Sequence, residues 1–108
     1  MKLYIGGLSQ GQEALARREN PGAALLTEFH AVIREKLAAG EDTLAYAQRL
    51  CAEQPELVVV SDEVGSGVVP ISKEERLWRE AVGRALCVVA EHAESVTRVM
   101  CGIGVRLK

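Results

Sequence analysis

Residues 57–70 read LVVVSDEVGSGVVP, and this stretch decides the fold. Its first four residues, 57–60, form a continuous apolar run rich in β-branched valine, which predicts a strand buried on both faces of a parallel sheet. Pro70 ends any strand pairing, and the sequence after it predicts a helix. A buried strand that leads into a helix is typical of α/β proteins, in which strands and helices alternate along the chain.

The loop after this predicted strand carries polar groups suited to a site. Ser61, Asp62 and Glu63 place a hydroxyl and two carboxylates at the strand end, and Gly65 and Gly67 let the backbone turn tightly or approach another group closely. Ligands of open α/β sheets bind beyond the carboxyl ends of the strands, so this loop is a candidate ligand site. A tight strand-to-helix connection with solvated carboxylates explains the same residues equally well.

The composition fits one globular domain over residues 1–108, since 48% of the residues are hydrophobic and 26% are charged. The net charge is −2 and the basic residues are scattered, whereas a nucleic-acid surface needs a concentrated basic patch. No apolar run approaches the length of a membrane span, and the opening MKLYIGG reaches glycine too early for a signal peptide. We therefore predict a cytoplasmic protein with no nucleic-acid partner and no membrane span.

The cysteines Cys51, Cys87 and Cys101 are odd in number and form no C-x-x-C pair. We predict reduced, mostly buried thiols, as expected of a cytoplasmic chain. Cysteine and histidine never fall at the paired spacing of zinc ligands, so the sequence predicts no metal site.

A glycine-bearing loop also follows the first predicted strand, residues 2–5. Gly6, Gly7, Ser9 and Gly11 lie between that strand and a predicted helix, which is the context of a loop that binds phosphate through backbone N–H groups. In the pattern G-x-x-x-x-G-K-[ST], Gly6 and Gly11 match both glycines at the correct spacing. The alternative is a simple glycine turn, which the same residues also allow.

The two positions after Gly11 depart from that phosphate-loop pattern. Gln12 replaces the phosphate-binding lysine, and Glu13 replaces the hydroxyl that binds magnesium. A positive charge is thereby lost, and a negative one is placed where phosphate approaches. Backbone amides remain able to hold an anion, so the loop stays a candidate nucleotide site.

The rest of the chain alternates helices with strands, which predicts an α/β domain with a mostly parallel sheet. Ser72 and Glu75 form a capping box, so a helix is predicted to run from there to about His92, with Trp78 and Val82 on its apolar stripe. The other predicted elements are a helix over 12–19, a brief strand over 23–26, a helix over 28–39 capped by Thr27, a helix opened by Asp42 or Thr43, and strands over 96–101 and 105–108.

The two histidines, His30 and His92, both lie near helix ends. His92 falls near a predicted helix C-terminus, whose partial negative charge favours an imidazolium. His30 falls near a predicted helix start. We interpret both as structural residues, with a catalytic His30 as the alternative.

The segment SDEVGSGVVP resembles the N-E-V-G-x-G-I-V-P segment of the adenosylcobinamide kinase/adenosylcobinamide-phosphate guanylyltransferase family of cobalamin biosynthesis. The resemblance runs without a gap to the C-terminus, where CGIGVRLK is similar to the family's S-G-I-G-V-K-I-K. Residues 5–7 are similar to the start of its phosphate loop. The matching residues of the segment are Glu63, Val64, Gly65, Gly67, Val69 and Pro70.

This resemblance implies a truncated three-layer P-loop NTPase-like (RecA-like) domain that forms a homo-oligomer. It also implies GTP or ATP with Mg²⁺ as ligands, and a corrinoid as a further ligand. It makes Glu63 a candidate catalytic residue. The residues to which it gives nucleotide-binding roles are Gly6, Gly7, Ser9, Gly11, Gln12, Glu63, Gly65 and Gly67.

The chain departs from the family's pattern in ways that bear on activity. Family members are longer, mostly between the first helix and residue 23, in the region that carries the guanylylated histidine. Neither His30 nor His92 falls at that position. Two functions stay open: a shortened homologue with residual nucleotide binding and weak or no catalysis, and a non-catalytic oligomeric binding or assembly module. For self-association, the candidate apolar residues are Val68, Val69 and Ile71.

Overall fold

A computed structural model describes residues 1–64 and 72–108 of the chain. Over these residues the chain forms five strands and four helices. In chain order they are β1 (Lys2–Gly6), α1 (Gln12–Glu19), β2 (Leu25–Leu26), α2 (Phe29–Ala38), α3 (Thr43–Glu53), β3 (Val58–Asp62), α4 (Lys73–His92), β4 (Ser95–Met100) and β5 (Ile103–Arg106). The predicted candidates Gly65, Gly67, Val68, Val69 and Ile71 lie outside the described residues.

The strands form one sheet in the order β2-β3-β1-β4-β5. β1 lies at its centre and pairs in parallel with β3 on one side and β4 on the other, so that Gly6 lies beside both Asp62 and Val99. β2 is parallel to β3, and β5 returns antiparallel to β4. The predicted α/β fold with a mostly parallel sheet is confirmed, as is the parallel pairing of the first strand with the strand after residue 57.

Helices cover both faces of the sheet, which gives three layers. Leu3 and Val59 point toward α2, α3 and α4, where they join a core that includes Val82 and Val89 of α4. Their neighbours along the strands point toward α1; Tyr4, Val58 and Val60 pack there with Leu15 and Ala16. Successive strand residues face opposite sides, so an unbroken apolar run such as residues 57–60 fills both cores. The predicted packing of α4 on the sheet is confirmed.

Two helix starts follow the predicted capping chemistry. The Asp42 carboxylate accepts hydrogen bonds from the backbone N–H groups of Leu44 and Ala45, and the Ser72 hydroxyl accepts one from the N–H of Glu75. These side chains satisfy backbone donors that have no partner inside the helix. The predicted starts of α3 and α4 are therefore confirmed.

The start of α2 differs from the prediction. Thr27 does not cap it; the helix begins at Phe29, and the residue before it, Glu28, has a φ of 52° and no side-chain cap hydrogen bond. The left-handed backbone at Glu28 turns the chain from β2 into the helix, and a propensity argument does not anticipate such a turn at a glutamate.

The last strand begins earlier than predicted, at Ile103 rather than residue 105. Cys101 and Gly102, with φ of 52° and 75°, form a two-residue turn between β4 and β5. Turns of this kind favour positive φ at both central residues, because their twist matches that of the flanking strands. The glycine at position 102 allows the turn, and the strand follows directly.

The prediction of mostly buried cysteines is wrong for two of the three. Cys51 is buried on α3, whereas Cys87 and Cys101 are exposed. Cys87 lies on the outward face of α4, off the apolar stripe formed by Val82, Ala85 and Val89. Within the described residues, no helix is long and apolar enough to cross a membrane.

Candidate functional site

The loop after β1 and the end of β3 meet at the carboxyl edge of the sheet. Gly6 ends β1 directly beside Asp62, which ends β3. Between them and α1 opens a cleft of about 400 Å³, lined on its polar side by Ser9, Gln12, His30 and Asp62. The cleft lies where ligands of open α/β sheets bind.

The glycines at both ends of this loop are required by its geometry. A Cβ at Gly6 would lie 2.7 Å from the backbone oxygen of Val99, a distance that β-carbons do not adopt. Gly11 has a φ of 87°, and a Cβ there would lie 3.4 Å from Cα of Gly102. At Gly6 the loop therefore lies so close to β4 that only glycine fits, whereas at Gly11 the left-handed backbone favours glycine.

Gln10 ties the loop to the same turn. Its side-chain oxygen accepts a hydrogen bond of 2.8 Å from the N–H of Cys101, and its backbone oxygen accepts another of 2.8 Å from the N–H of Gly102. Two hydrogen bonds thus tie the loop to the β4–β5 turn, a segment that is distant in the chain.

Gln12 is buried at the first position of α1, and its side-chain amide lies inside the loop. Its Nε2 donates hydrogen bonds to the backbone oxygens of Gly6 and Gly7, at 3.3 and 3.1 Å, and to Oδ1 of Asp62 at 2.8 Å. The residue at the lysine position of the phosphate-loop pattern therefore links β1, the loop and β3 without adding a positive charge.

His30 is the second partner of Asp62. The backbone N–H of Asp62 donates to Nδ1 of His30 at 3.1 Å, and Nε2 of His30 lies 3.5 Å from Oδ2 of the carboxylate. Because Nδ1 accepts, a neutral ring carries its proton on Nε2, toward the carboxylate. The indole of Trp78 holds the start of α2 in place by donating to the backbone oxygen of His30 at 2.9 Å.

Reasoning from the sequence did not connect His30 with Asp62. A signal was present, because β2 and β3 are parallel neighbours and the residues after their carboxyl ends must meet at one edge of the sheet. His30 comes four residues after β2 ends at Leu26, so its position in the chain placed it close to the strand end at Asp62.

Glu63, the candidate catalytic residue, turns toward β4. Its backbone N–H donates to the oxygen of Gly6 at 2.7 Å, and its carboxylate pairs with Nε of Arg98 at 3.1 Å. Gly6, Gly7, Ser9, Gly11 and Gln12 are brought together around one loop, and Glu63 adjoins that loop through Gly6.

The electrostatics of the cleft are unfavourable to a bare phosphate. Glu13, Glu28 and Asp62 contribute carboxylates to its wall, and the lining residues in the described part of the chain include no lysine or arginine. The nearby guanidinium of Arg17 pairs with Glu13, with 3.5 Å between Nε and Oε2. Anion binding here would depend on backbone N–H groups at the start of α1 and on cations that arrive with the ligand.

A comparison with protein families finds a match that begins at the first residue of α1 and covers most of the chain after it. Residues 12–107 match the model of the cobinamide kinase/cobinamide phosphate guanyltransferase family. The chain belongs to this family. The resemblance that the sequence indicated is therefore confirmed, and it extends from α1 through β5.

Two curated family members are similar to part of the chain. The bifunctional adenosylcobalamin biosynthesis protein CobU of Escherichia coli is 38% identical over 68 residues, which cover 63% of this chain and 36% of the relative. The protein of the same name from Salmonella typhimurium is 38% identical over 65 residues, covering 60% of this chain and 34% of the relative. The aligned part of the chain thus spans about a third of the length of these family members.

Proposed function

We propose that this chain is a shortened member of the cobinamide kinase/guanyltransferase family that binds GTP or ATP weakly in the cleft and has little or no phosphoryl-transfer activity. One observation carries the proposal: the amide of Gln12 occupies the interior of the loop, bonded to Gly6, Gly7 and Asp62. The loop keeps the position of a phosphate-binding loop, and the residue that fills it is uncharged.

The expectation of weak catalysis rests on charge. Phosphoryl transfer depends on positioning the phosphates and neutralising the charge that spreads over the transferred group. An amide at Gln12 donates hydrogen bonds but supplies no charge, and Glu13 adds a carboxylate to the first turn of α1. Transition-state stabilisation by electrostatics is usually the largest catalytic contribution, so its loss lowers the rate more than it lowers binding.

Magnesium enters this proposal with the nucleotide. The described residues contain no cluster of three metal-ligating side chains. Mg²⁺ is commonly held by one or two carboxylates together with the phosphates of the nucleotide and several waters. Asp62 and Glu28 on the cleft wall suit that arrangement, and a Mg²⁺-bound nucleotide also reduces the repulsion that bare phosphates meet there.

The second candidate is a non-catalytic binding or assembly module, acting as a homo-oligomer in the cytoplasm and consisting of one domain. The same Gln12 contacts favour it, because the polar groups of the loop are satisfied by the chain itself. A corrinoid or a partner protein is then the ligand, and the loop serves as part of the scaffold.

Calorimetric titration with Mg·GTP, Mg·ATP and cobinamide separates the candidates. The nucleotide proposal expects weak, Mg²⁺-dependent heat with one or both nucleotides and hydrolysis close to background. Gly11→Val is the control, because a β-branched side chain is strained at the left-handed backbone of this position and distorts the loop. Rapid hydrolysis that disappears in Gly11→Val overturns the low-activity proposal. If neither nucleotide gives a heat of binding, the nucleotide proposal fails and the binding-module candidate remains.

A further inference from the structure

A polar cavity lies on the sheet face that carries α1, apart from the cleft at the carboxyl edge. Its volume is about 530 Å³, which is within the range of small-molecule sites. The cavity and the cleft are lined by different residues. The cavity lies at the beginning of β1 and β4, beside β5 and the end of α1, and its lining includes Tyr4, Glu19, Ser95, Thr97, Gly104 and Arg106.

The cavity forms because α1 is too short to cover this face of the sheet. A helix of eight residues is about 12 Å long. Under the helix the strands carry apolar residues such as Val99, whereas beyond its C-terminus they carry Ser95, Thr97 and Arg106. Paired residues of adjacent strands point to the same side, so Thr97 lies on the floor between its two partners, Tyr4 and Arg106.

The wall on the α1 side is a hydrogen-bond network around Tyr4. The Tyr4 hydroxyl donates to Oε1 of Glu19 at 2.8 Å and accepts from Nδ2 of Asn20 at 3.0 Å. Asn20 also donates to the backbone oxygen of Ala16 and accepts from Nζ of Lys2. Burial raises the pKa of Tyr4, so its hydroxyl stays protonated at neutral pH and keeps donating to Glu19. The Glu19 carboxylate is thereby held at the cavity.

The opposite wall carries a cation. Nε of Arg106 donates to the backbone oxygen of Lys108 at 2.8 Å, which orients the guanidinium. Lys2 and Glu94, which also line the cavity, pair with each other, with 3.9 Å between Nζ and Oε1. Within residues 1–64 and 72–108, Glu19 and Arg106 form no ion pair. They lie on opposite walls, since β1 and β5 are two strand spacings, or about 10 Å, apart.

The floor adds groups that both donate and accept. Ser95 and Thr97 are half-buried, and in the part of the chain that the structure describes their hydroxyls have no hydrogen-bond partner. A hydroxyl can donate to one ligand group and accept from another. A Cβ at Gly104 would lie 2.9 Å from side-chain atoms of Leu15 and Thr97, so α1 packs directly on β5 at this glycine. This contact closes the cavity toward the carboxyl edge.

We propose that this cavity binds a small zwitterion, with a primary ammonium on Glu19 and a carboxylate on Arg106. A guanidinium binds a carboxylate through two parallel hydrogen bonds, and an ammonium donates to the carboxylate on the other wall. A simple anion or cation fits less well, because it leaves one of the two charges unpaired. The proposal does not depend on nucleotide binding, which belongs to the cleft.

Titration of the full chain with 4-aminobutyrate, followed by two-dimensional NMR of the backbone amides, tests the proposal. The signals of Asn20, Thr97, Gly104 and Arg106 are expected to shift together, whereas that of Gly11 in the cleft does not. A dissociation constant of about 1 mM is expected for so small a ligand. Butyrate and butylamine carry one charge each and are expected to bind about tenfold more weakly or less, because each lacks one charge-assisted hydrogen bond.

Variants assign the two ends of the ligand. Arg106→Gln is expected to weaken 4-aminobutyrate and butyrate about tenfold and to leave butylamine unchanged. Glu19→Gln is expected to weaken 4-aminobutyrate and butylamine and to leave butyrate unchanged, and its amide oxygen still accepts from Tyr4. The matched controls are Arg49→Gln and Glu35→Gln, exposed positions on the helices of the other sheet face, and they are expected to change nothing.

Three results overturn the proposal. The first is the absence of shifts at concentrations well above 1 mM, and the second is binding of butyrate and butylamine as tight as that of 4-aminobutyrate. The third is an equal loss of all three ligands in Arg106→Gln or Glu19→Gln, which indicates that the residue shapes the cavity and does not bind one end of the ligand. Circular dichroism checks the fold of each variant. If a variant does not fold, the three ligands compared on the unaltered chain still decide the question.

Discussion

The side-chain amide of Gln12 donates a hydrogen bond of 2.8 Å to Oδ1 of Asp62, although the two residues are 50 positions apart in the chain. This bond joins the first residue of α1 to the last residue of β3, across the cleft at the carboxyl edge of the sheet. Gln12 is only 6% exposed, so water does not readily replace its partners. The polar interior of the site is therefore held together by the chain's own side chains.

Replacing Gln12 with methionine is expected to destabilise the protein by about 1–3 kcal/mol, because the half-buried oxygens of Gly7 and Asp62 lose a donor and the buried oxygen of Gly6 loses one of its two. Urea unfolding measures the change through the transition midpoint. The matched control is Gln48→Met on the exposed side of α3, where we expect a change within about 0.5 kcal/mol. Equal effects at the two positions contradict a structural role for the Gln12 amide.

Replacing Gln12 with lysine is expected to strengthen nucleotide binding by about tenfold or more, because an ammonium supplies the charge that the loop lacks. Titration with Mg·GTP and Mg·ATP at low and high salt measures the gain and its screening. Gln48→Lys adds the same charge far from the cleft and controls for a general electrostatic effect. A gain that is the same in both variants argues against Gln12 as a phosphate-facing position.

The sequence alone predicted the helices and strands whose formation depends on local chemistry. The apolar run before Ser61 predicted a strand buried on both faces, and the capping box at Ser72 predicted the start of α4. The parallel pairing of the first and third strands followed from the alternation of strands with helices. These features depend on periodicity and on contacts within a few residues, which a single sequence contains.

The site depends on contacts between distant residues, and those were not predictable in detail. The glycine spacing located the loop, but the bond of Asp62 to Gln12 arises from the register of β1 and β3, and its bond to His30 from the pairing of β2 with β3. The predicted start of α2 was wrong, because the connection from β2 imposes a left-handed turn at Glu28. The exposure of Cys87 depends on which side of α4 meets the sheet.

The three thiols are expected to react in two classes with an aromatic disulfide reagent at neutral pH. Burial raises the pKa of Cys51, so it holds less thiolate, the reactive form, at any given pH. Cys87 and Cys101 are exposed and should react first. We expect two rapid equivalents and a third only after unfolding.

Variants assign these two phases. Cys51→Ala should remove the slow equivalent and leave the rapid ones, whereas Cys87→Ser with Cys101→Ser should remove the rapid phase. Reaction of Cys51 at the rate of the exposed thiols in the folded protein contradicts the burial of α3 against the core.

Three glycines are expected to respond differently to alanine, because their surroundings differ. At Gly6 the new Cβ meets the backbone oxygen of Val99 at 2.7 Å, and backbone cannot move aside without separating β1 from β4. We expect the free energy of unfolding to fall by about 2 kcal/mol or more, or the protein not to fold.

At Gly7 the nearest atom is Cγ of Gln10 at 3.7 Å, an ordinary contact, so Gly7→Ala is expected to be well tolerated. At Gly83, an exposed position inside α4, nothing lies within 4 Å of the new atom. Gly83→Ala is expected to stabilise the protein by about 0.5–1 kcal/mol, because alanine loses less backbone entropy in a helix. Urea midpoints of the three variants test this order, and a Gly6→Ala variant as stable as Gly7→Ala contradicts the close packing of the loop against β4.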